Sequence, residues 1–308
     1  MTTDNSQIIK ATAFAEAVYG LKEASLESWK NYAFSLMVIA GADGLSVDEF
    51  NWLLRDIGLK LTEPDPVIAA MRDFDYKKAD LRALISKIYF FAPLNLRRAL
   101  LYDAVRMSKA DLKYSDEEQL AVEKAAKFLN LKNDIALEVE GLIDMEVQVH
   151  RTKIQLFEAD PHAPFPLVVE LVSSDMILDY GKALLIIAGA DGDVSEEELL
   201  WFIHDFAIEK GVEQRFIQDL RNYDYHSEAF EDVIARIKLK SMLNLHRILL
   251  YDSIKLARSD NNYAFEEEAA VKKAARTMNI DMNLAISLER LVETENMIIK
   301  KRKKILEN

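Results

Sequence analysis

The residues best suited to chemistry in this sequence lie in four short acidic segments. The first half carries Asp43-Gly44-Leu45-Ser46-Val47-Asp48-Glu49 and Asp111-Leu112-Lys113-Tyr114-Ser115-Asp116-Glu117-Glu118. The second half carries Asp191-Gly192-Asp193-Val194-Ser195-Glu196-Glu197-Glu198 and Asp260-Asn261-Asn262-Tyr263-Ala264-Phe265-Glu266-Glu267. In each segment an Asp precedes a Glu by six or seven residues. Gly after the Asp permits a tight left-handed turn, so that the Asp and the returning Glu approach one another. Two converging carboxylates form the kind of oxygen site that hard divalent cations take. The second segments lack that Gly; Asn261 tolerates left-handed backbone, whereas Leu112 suits it poorly. The same residues also make ordinary helix starts: Ser caps the helix, and acids in the first turn gain about 0.3–1 kcal/mol from its dipole.

Other chemistries fit less well. An EF-hand register on Asp191, Gly192, Val194 and Glu198 would put Ile187 and Gly189 where ligand oxygens are required. The five histidines form no His-x-x-x-His pair and do not recur between the halves, which argues against zinc. No nucleophile elbow, phosphate-binding loop or dinucleotide glycine pattern is present. The expectation is therefore a protein without catalytic residues, cofactor or small-molecule substrate.

The elements that must position the acids are repeated. LNLRRALLYD (94–103) returns as LNLHRILLYD (243–252), a displacement of 149 residues. The register holds from Trp52/Trp201 through Asn130/Asn279 and drops to 148 upstream of Ser46/Ser195, where the second half has one loop residue more. One register over so long a span indicates duplication. Between the copies, EADPHAPFP (158–166) contains three prolines and reads as a stiff spacer. The expected organisation is domain 1 over 1–158 with an N-terminal extension, a linker over 159–166 and domain 2 over 167–308. Each copy reads as helical throughout. In the first, helices are expected over 29–40, 47–54, 66–74, 79–91, 94–109, 115–129 and 134–157; in the second, 168–188 and 196–208 match the first two. That gives an all-α fold of roughly seven helices per copy. IIKATAFAEAV (8–18) suggests a short extra helix.

Among the repeated residues, Trp52/Trp201 and Tyr102/Tyr251 sit among aliphatic residues as core. Asn95/Asn244 and Arg98/Arg247 read as a helix cap and a structural ion pair. Asp103 and Asp252 lie about two helical turns before Asp111 and Asp260, as acids supporting a site or as surface acids.

Composition narrows the partners. The 308 residues carry 52 acidic and 39 basic side chains, a net charge of −13, which disfavours nucleic acid and suits a cation or a basic protein surface. Nine Gly and six Pro favour long helices over a turn-rich β fold. The absence of Cys excludes disulfides and thiolate sites. The N-terminus does not look like a secretory signal and no apolar run approaches the ~20 residues of a membrane span, so a cytoplasmic protein is expected. The basic run Lys300 to Lys304 reads as a dipole-favoured helix end or as a contact with a partner or lipid surface.

The pattern Ala-Asp-Gly-x-x-Ser-x-Glu-Glu, then Asp-x-x-Tyr-x-x-Glu-Glu and an apolar helix ending Leu-Asn-Leu or Met-Asn-Ile, resembles the TerB-like tellurite-resistance family, over most of both copies. The resemblance implies tandem TerB-like helical bundles, non-enzymatic, in a bacterial stress system. It implies divalent metal, Ca²⁺ or Mg²⁺, bound through Asp43, Glu49, Asp111 and Glu117 or Glu118, and through Asp191, Glu198, Asp260 and Glu266 or Glu267. The shortened loop of the first copy and the missing second Gly depart from that pattern. The competing expectation is a helical scaffold for a partner protein, with the acids acting only as caps.

Overall fold

The computed structural model describes residues 7–12, 15–16, 19–91, 95–160, 173–203, 212–237, 244–259 and 263–307. It is predominantly helical. In the first half the helices are α1 (Leu26–Ala40), α2 (Val47–Lys60), α3 (Asp65–Arg72), α4 (Leu81–Ile85), α5 (Leu96–Ser108), α6 (Asp116–Phe128) and α7 (Asn133–Phe157). In the second they are α8 (Ser174–Ala188), α9 (Glu196–Trp201), α10 (Gln214–Arg221), α11 (Phe230–Arg236), α12 (Leu245–Ala257), α13 (Phe265–Thr277) and α14 (Met282–Glu307). Among the described residues no helix is long and apolar enough to cross a membrane.

Two expectations need correction. The N-terminal segment begins as a strand and turns helical at Ala15, Glu16 and Tyr19: β1 (Ile8–Lys10) pairs antiparallel with β2 (Glu23–Ser25), and β2 with β3 (Phe90–Phe91). The helix expected over 79–91 accordingly stops at Ile85 and gives way to β3. Strands of two or three residues are too short to show period-two alternation, so only their pairing reveals them. The expected linker lies largely outside the described residues, as do the start of the helix expected at 168 and the end of that expected at 208.

The chain divides into two compact units. One consists of Met1–Gln148 with Met297–Asn308; the other is drawn from Val149–Ala163 and Leu167–Asn296. The division falls inside α7 and inside α14.

In the first unit α1 is the central element. Ser25 caps it, its hydroxyl accepting from the Ser28 N–H, and Trp29, Tyr32, Ala33 and Leu36 are fully buried against α3, α4, α5 and α6. A large apolar side chain such as Leu36 contributes roughly 1.5–3 kcal/mol on burial. The N-terminal segment is tied to this bundle: Thr12 N–H donates to the Lys60 carbonyl at 2.9 Å, and the Trp29 indole N–H to the Ile9 carbonyl. In the second unit α8 holds the corresponding place, with Tyr180, Ala183 and Leu184 buried against α10, α11 and α12. Trp52, Tyr102 and Tyr251 are buried as their spacing suggests, while Trp201 is half-buried.

Asp103 and Asp252 do not lie on a surface or beside the acidic hairpins. Asp103 is fully buried, accepting hydrogen bonds from Tyr19 (3.2 Å) and Tyr32 and pairing with Lys60. Asp252 accepts from Tyr180 at 2.7 Å. Two turns along a helix do bring a residue to the same face, but here that face points into the core.

Candidate functional site: paired glutamates at the helix starts

Each acidic hairpin is built by one helix ending and the next beginning with a cap. In the first, α1 ends at Gly41, and a Cβ there would stand 2.6 Å from Tyr76 Cε2 and 2.7 Å from the Met37 carbonyl oxygen. The bare Gly lets Tyr76 close over the turn, where its hydroxyl accepts from the Leu45 N–H at 3.2 Å. Gly44 takes φ +126°, a conformation that disfavours side chains. The second half repeats the close approach: a Cβ on Gly189 would collide with the Tyr225 ring, and Gly192 has φ +115°. Gly41→Ala should destabilise the fold by about 1–3 kcal/mol through overpacking. Gly58→Ala, where a Cβ meets open space on α2, should be neutral or stabilising by up to about 1 kcal/mol. Urea denaturation of the two variants checks the contrast, and equal midpoints would refute the Tyr76 latch.

The second hairpin of the first half manages without Gly. Leu112 itself takes φ +65°, a conformation costing about 1–2 kcal/mol for a side chain of this kind. The expectation that Leu112 resists this geometry is thus overruled by its neighbours. Asp111 accepts from the Lys113 N–H at 2.9 Å, Tyr114 donates to Glu140 at 3.2 Å, and Lys109 pairs with Asp144 while lying over the Tyr114 ring. The flanking contacts recur 149 residues on, as Tyr263 with Glu289 and Arg258 with Glu293.

The glutamate at the third position of each helix then folds back. Glu49 accepts from the Ser46 N–H at 2.7 Å while Ser46 Oγ accepts from the Glu49 N–H at 3.2 Å. Ser115 with Glu118, and Ser195 with Glu198, form the same reciprocal box. Ala264 has no hydroxyl, so only half the box is present there: Glu267 accepts from the Ala264 N–H at 2.7 Å. The capping role expected of these residues is therefore real. It also aims the carboxylates inward, leaving Glu49, Glu118, Glu198 and Glu267 only 2–4% exposed.

The carboxylates meet between hairpins rather than within one. The Glu49 and Glu118 carboxyls lie near enough to act on one another's protonation, and so do those of Glu198 and Glu267. Two buried carboxylates held close together disfavour ionisation of both and favour a proton or a cation between them. Burial, with the neighbouring Glu118, pushes the Glu49 carboxyl up to about 8. Burial also raises Glu118, to which the charge of Asp43 adds. In the second half burial raises Glu267 to about 8, assisted by the neighbouring Glu198 and the charge of Asp191.

The expected ligands are therefore brought together selectively. Where each Asp is anticipated beside the Glu of its own hairpin, the glutamates of two hairpins are neighbours. Asp43 and Asp191 are exposed and act on the pairs through their charge. Asp111 is engaged with its own loop, and Glu117 and Glu266 are exposed. Asp260 lies outside the described residues. Among the described residues no group of three or more His, Asp and Glu side chains gathers as a metal centre. Sequence reasoning missed the hairpin-closing role of Tyr76 and Tyr225, although both recur in register and each faces a recurring Gly.

No family model matches the chain, and no curated protein matches it. A crystal structure of a tellurite resistance protein from Nostoc punctiforme is 27% identical, with a TM-score of 0.39, over 52% of this chain and 92% of that one.

Proposed function

We propose that the chain is a non-enzymatic, tandem TerB-like protein of a cytoplasmic stress or tellurite-resistance type system, each half holding a divalent cation between two first-turn glutamates. The observation that carries this reading is the burial of Glu49, Glu118, Glu198 and Glu267 at helix starts, where Glu49 neighbours Glu118 and Glu198 neighbours Glu267. The donor set fits the group: buried carboxylate oxygens are hard ligands, and a Ca²⁺ or Mg²⁺ ion would take the place of the shared proton. Asp43 and Asp191 add negative potential at the rim of the two pairs. The net charge of −13 favours cation entry and a basic surface on a protein partner.

Calorimetric titration with Ca²⁺, Mg²⁺ and Mn²⁺ at pH 7.5 should show two sites per chain. In buffers of differing ionisation enthalpy it should show proton release on binding. Glu49→Gln/Glu118→Gln should abolish one site and Glu198→Gln/Glu267→Gln the other. Absence of binding at both pH 7.5 and pH 8.5 would defeat this reading and favour the second one. That second reading is a helical protein-interaction scaffold in which the glutamates serve only as caps, supported by the complete capping boxes at Ser46, Ser115 and Ser195.

A further inference from the structure

The repeated Leu-Asn-Leu-x-Arg motif reads from sequence as a cap and an ion pair; Arg247 does pair with Glu158 at 2.7 Å, but the motif has a further role. Neither Asn95 nor Asn244 caps its helix through its side chain. In the first unit the Asn95 N–H donates to the Leu306 carbonyl at 3.0 Å, and Arg98 Nη1 donates to the Ile305 carbonyl at 2.8 Å. In the second unit the Asn244 N–H donates to the Phe157 carbonyl at 3.3 Å, and Arg247 Nη1 to the Leu156 carbonyl at 2.9 Å. A guanidinium on the last carbonyls of a helix satisfies groups that the helix itself leaves without partners, and it opposes the negative end of the dipole.

In each unit, then, the motif grips the end of a long helix that begins in the other half of the sequence. The grip is repeated residue for residue, since Leu156 and Phe157 lie 149 positions before Ile305 and Leu306. A partly buried polar cluster accompanies it. Tyr102 donates to Glu146 at 2.6 Å and accepts from Arg302 at 3.4 Å, while Tyr251 donates to Glu295 and Lys153 pairs with Glu295 at 2.6 Å. Arg302 and Lys153 are themselves 149 positions apart. The apolar side of the tail is buried too: Ile298, Ile305 and Leu306 in one unit, Ile154 and Phe157 in the other. At about 1.5 Å per residue, the nine tail residues Val149–Phe157 reach roughly 13 Å past the division within α7.

We propose that the Leu-Asn-Leu-x-Arg face is a receptor for the last helical turns of the opposite half, and that this reciprocal exchange of tails clasps the two halves into one particle. The occupant is a segment of this chain, defined by a helix C-terminus with two free carbonyls, an apolar stripe and one basic residue four positions before the end of the stripe. Chain continuity through the Pro-rich segment is then unnecessary for the halves to remain together, as in exchanged dimers of separate subunits.

The test uses the full chain with a specific protease site inserted beside His162. After complete cleavage, size-exclusion chromatography with light scattering at micromolar concentration should give a single particle of full-chain mass. The halves should part only in denaturant. The same cut in Arg98→Glu/Arg247→Glu should weaken the association about 100-fold, each lost charged hydrogen bond counting for about a factor of ten. If that uncut variant is not folded by circular dichroism, Arg98→Gln/Arg247→Gln replaces it. Separation of the cut wild-type chain in buffer overturns the proposal, as does undiminished association of a folded Arg variant.

Discussion

Lys60→Ala is expected to destabilise the first unit by about 3–5 kcal/mol, the cost of stripping one partner from a buried ion cluster. Lys60 is fully buried, and its ammonium pairs with Asp56 at 2.6 Å and with Asp103 while lying 4.4 Å from the centre of the Tyr19 ring. Burial alone would pull the lysine down, but Asp103 and Asp56 outweigh it and hold the group above its ordinary value. The same burial, opposed by Lys60 and reinforced by Asp103, pushes Asp56 up to about 6. Without the ammonium, Asp103 keeps the hydroxyl donors of Tyr19 and Tyr32 and the more distant Arg106 charge. A melting temperature lower by roughly 10 °C follows for a chain of this size. Lys60→Met/Asp56→Asn/Asp103→Asn should recover a large part of the loss, because replacing every member of the buried cluster removes the uncompensated charge. A Lys60→Ala loss below about 1 kcal/mol would show that Asp103 is served without Lys60. Thermal and urea denaturation of the three proteins decides between these outcomes.

That cluster shows where the sequence ceased to be informative. Asp103, Tyr102 and the aliphatic residues around them recur 149 positions on, so burial of the segment was legible. Lys60 and Tyr19 recur nowhere in register, and a lone Lys at a helix end reads as solvated. The N-terminal segment was equally opaque, since its short strand is defined by pairing with Glu23–Ser25 rather than by its own pattern. The helices were legible because their apolar stripes are long and their starts carry Ser followed three residues later by Glu. The acidic hairpins were legible as pairs of carboxylates, but the partners were not. Spacing along a chain relates an Asp to the Glu of its own loop; it cannot show that the glutamates of two different hairpins come together. The exchange of helix ends was hidden for the same reason. Periodicity tells which face of α7 or α14 is apolar and nothing about which half of the chain covers it.

The paired glutamates yield the second large effect, with opposite signs for stability and for cation binding. A carboxyl raised to about 8 in the folded chain, as Glu49 and Glu267 are, binds a proton that the unfolded chain releases near pH 4.5. Between those values the folded state holds more protons than the unfolded one, so stability falls as pH rises through that window. The cation-free protein should therefore lose melting temperature steadily from pH 5 to pH 8. Glu49→Gln and Glu267→Gln keep a hydrogen-bonding group of the same shape and remove the titration. Each should flatten this slope and raise the melting temperature at pH 8 by roughly 2–4 °C for each kcal/mol recovered. Saturating Ca²⁺ or Mn²⁺ should act the other way on the wild type, restoring stability at pH 8 by occupying the place of the proton. It should have little effect at pH 5, where the protons compete. In Glu49→Gln/Glu267→Gln the cation should stabilise nothing at either pH, because each pair has lost an anionic ligand. A variant melting below wild type at pH 8 without cation would show that the carboxylates are already neutralised by another group. A flat wild-type profile from pH 5 to pH 8 would show that the two side chains do not share a proton. The stability profile and the cation response thus test the same contact from two sides: a pair of acids that weakens the empty fold at neutral pH is what gives a bound cation its leverage.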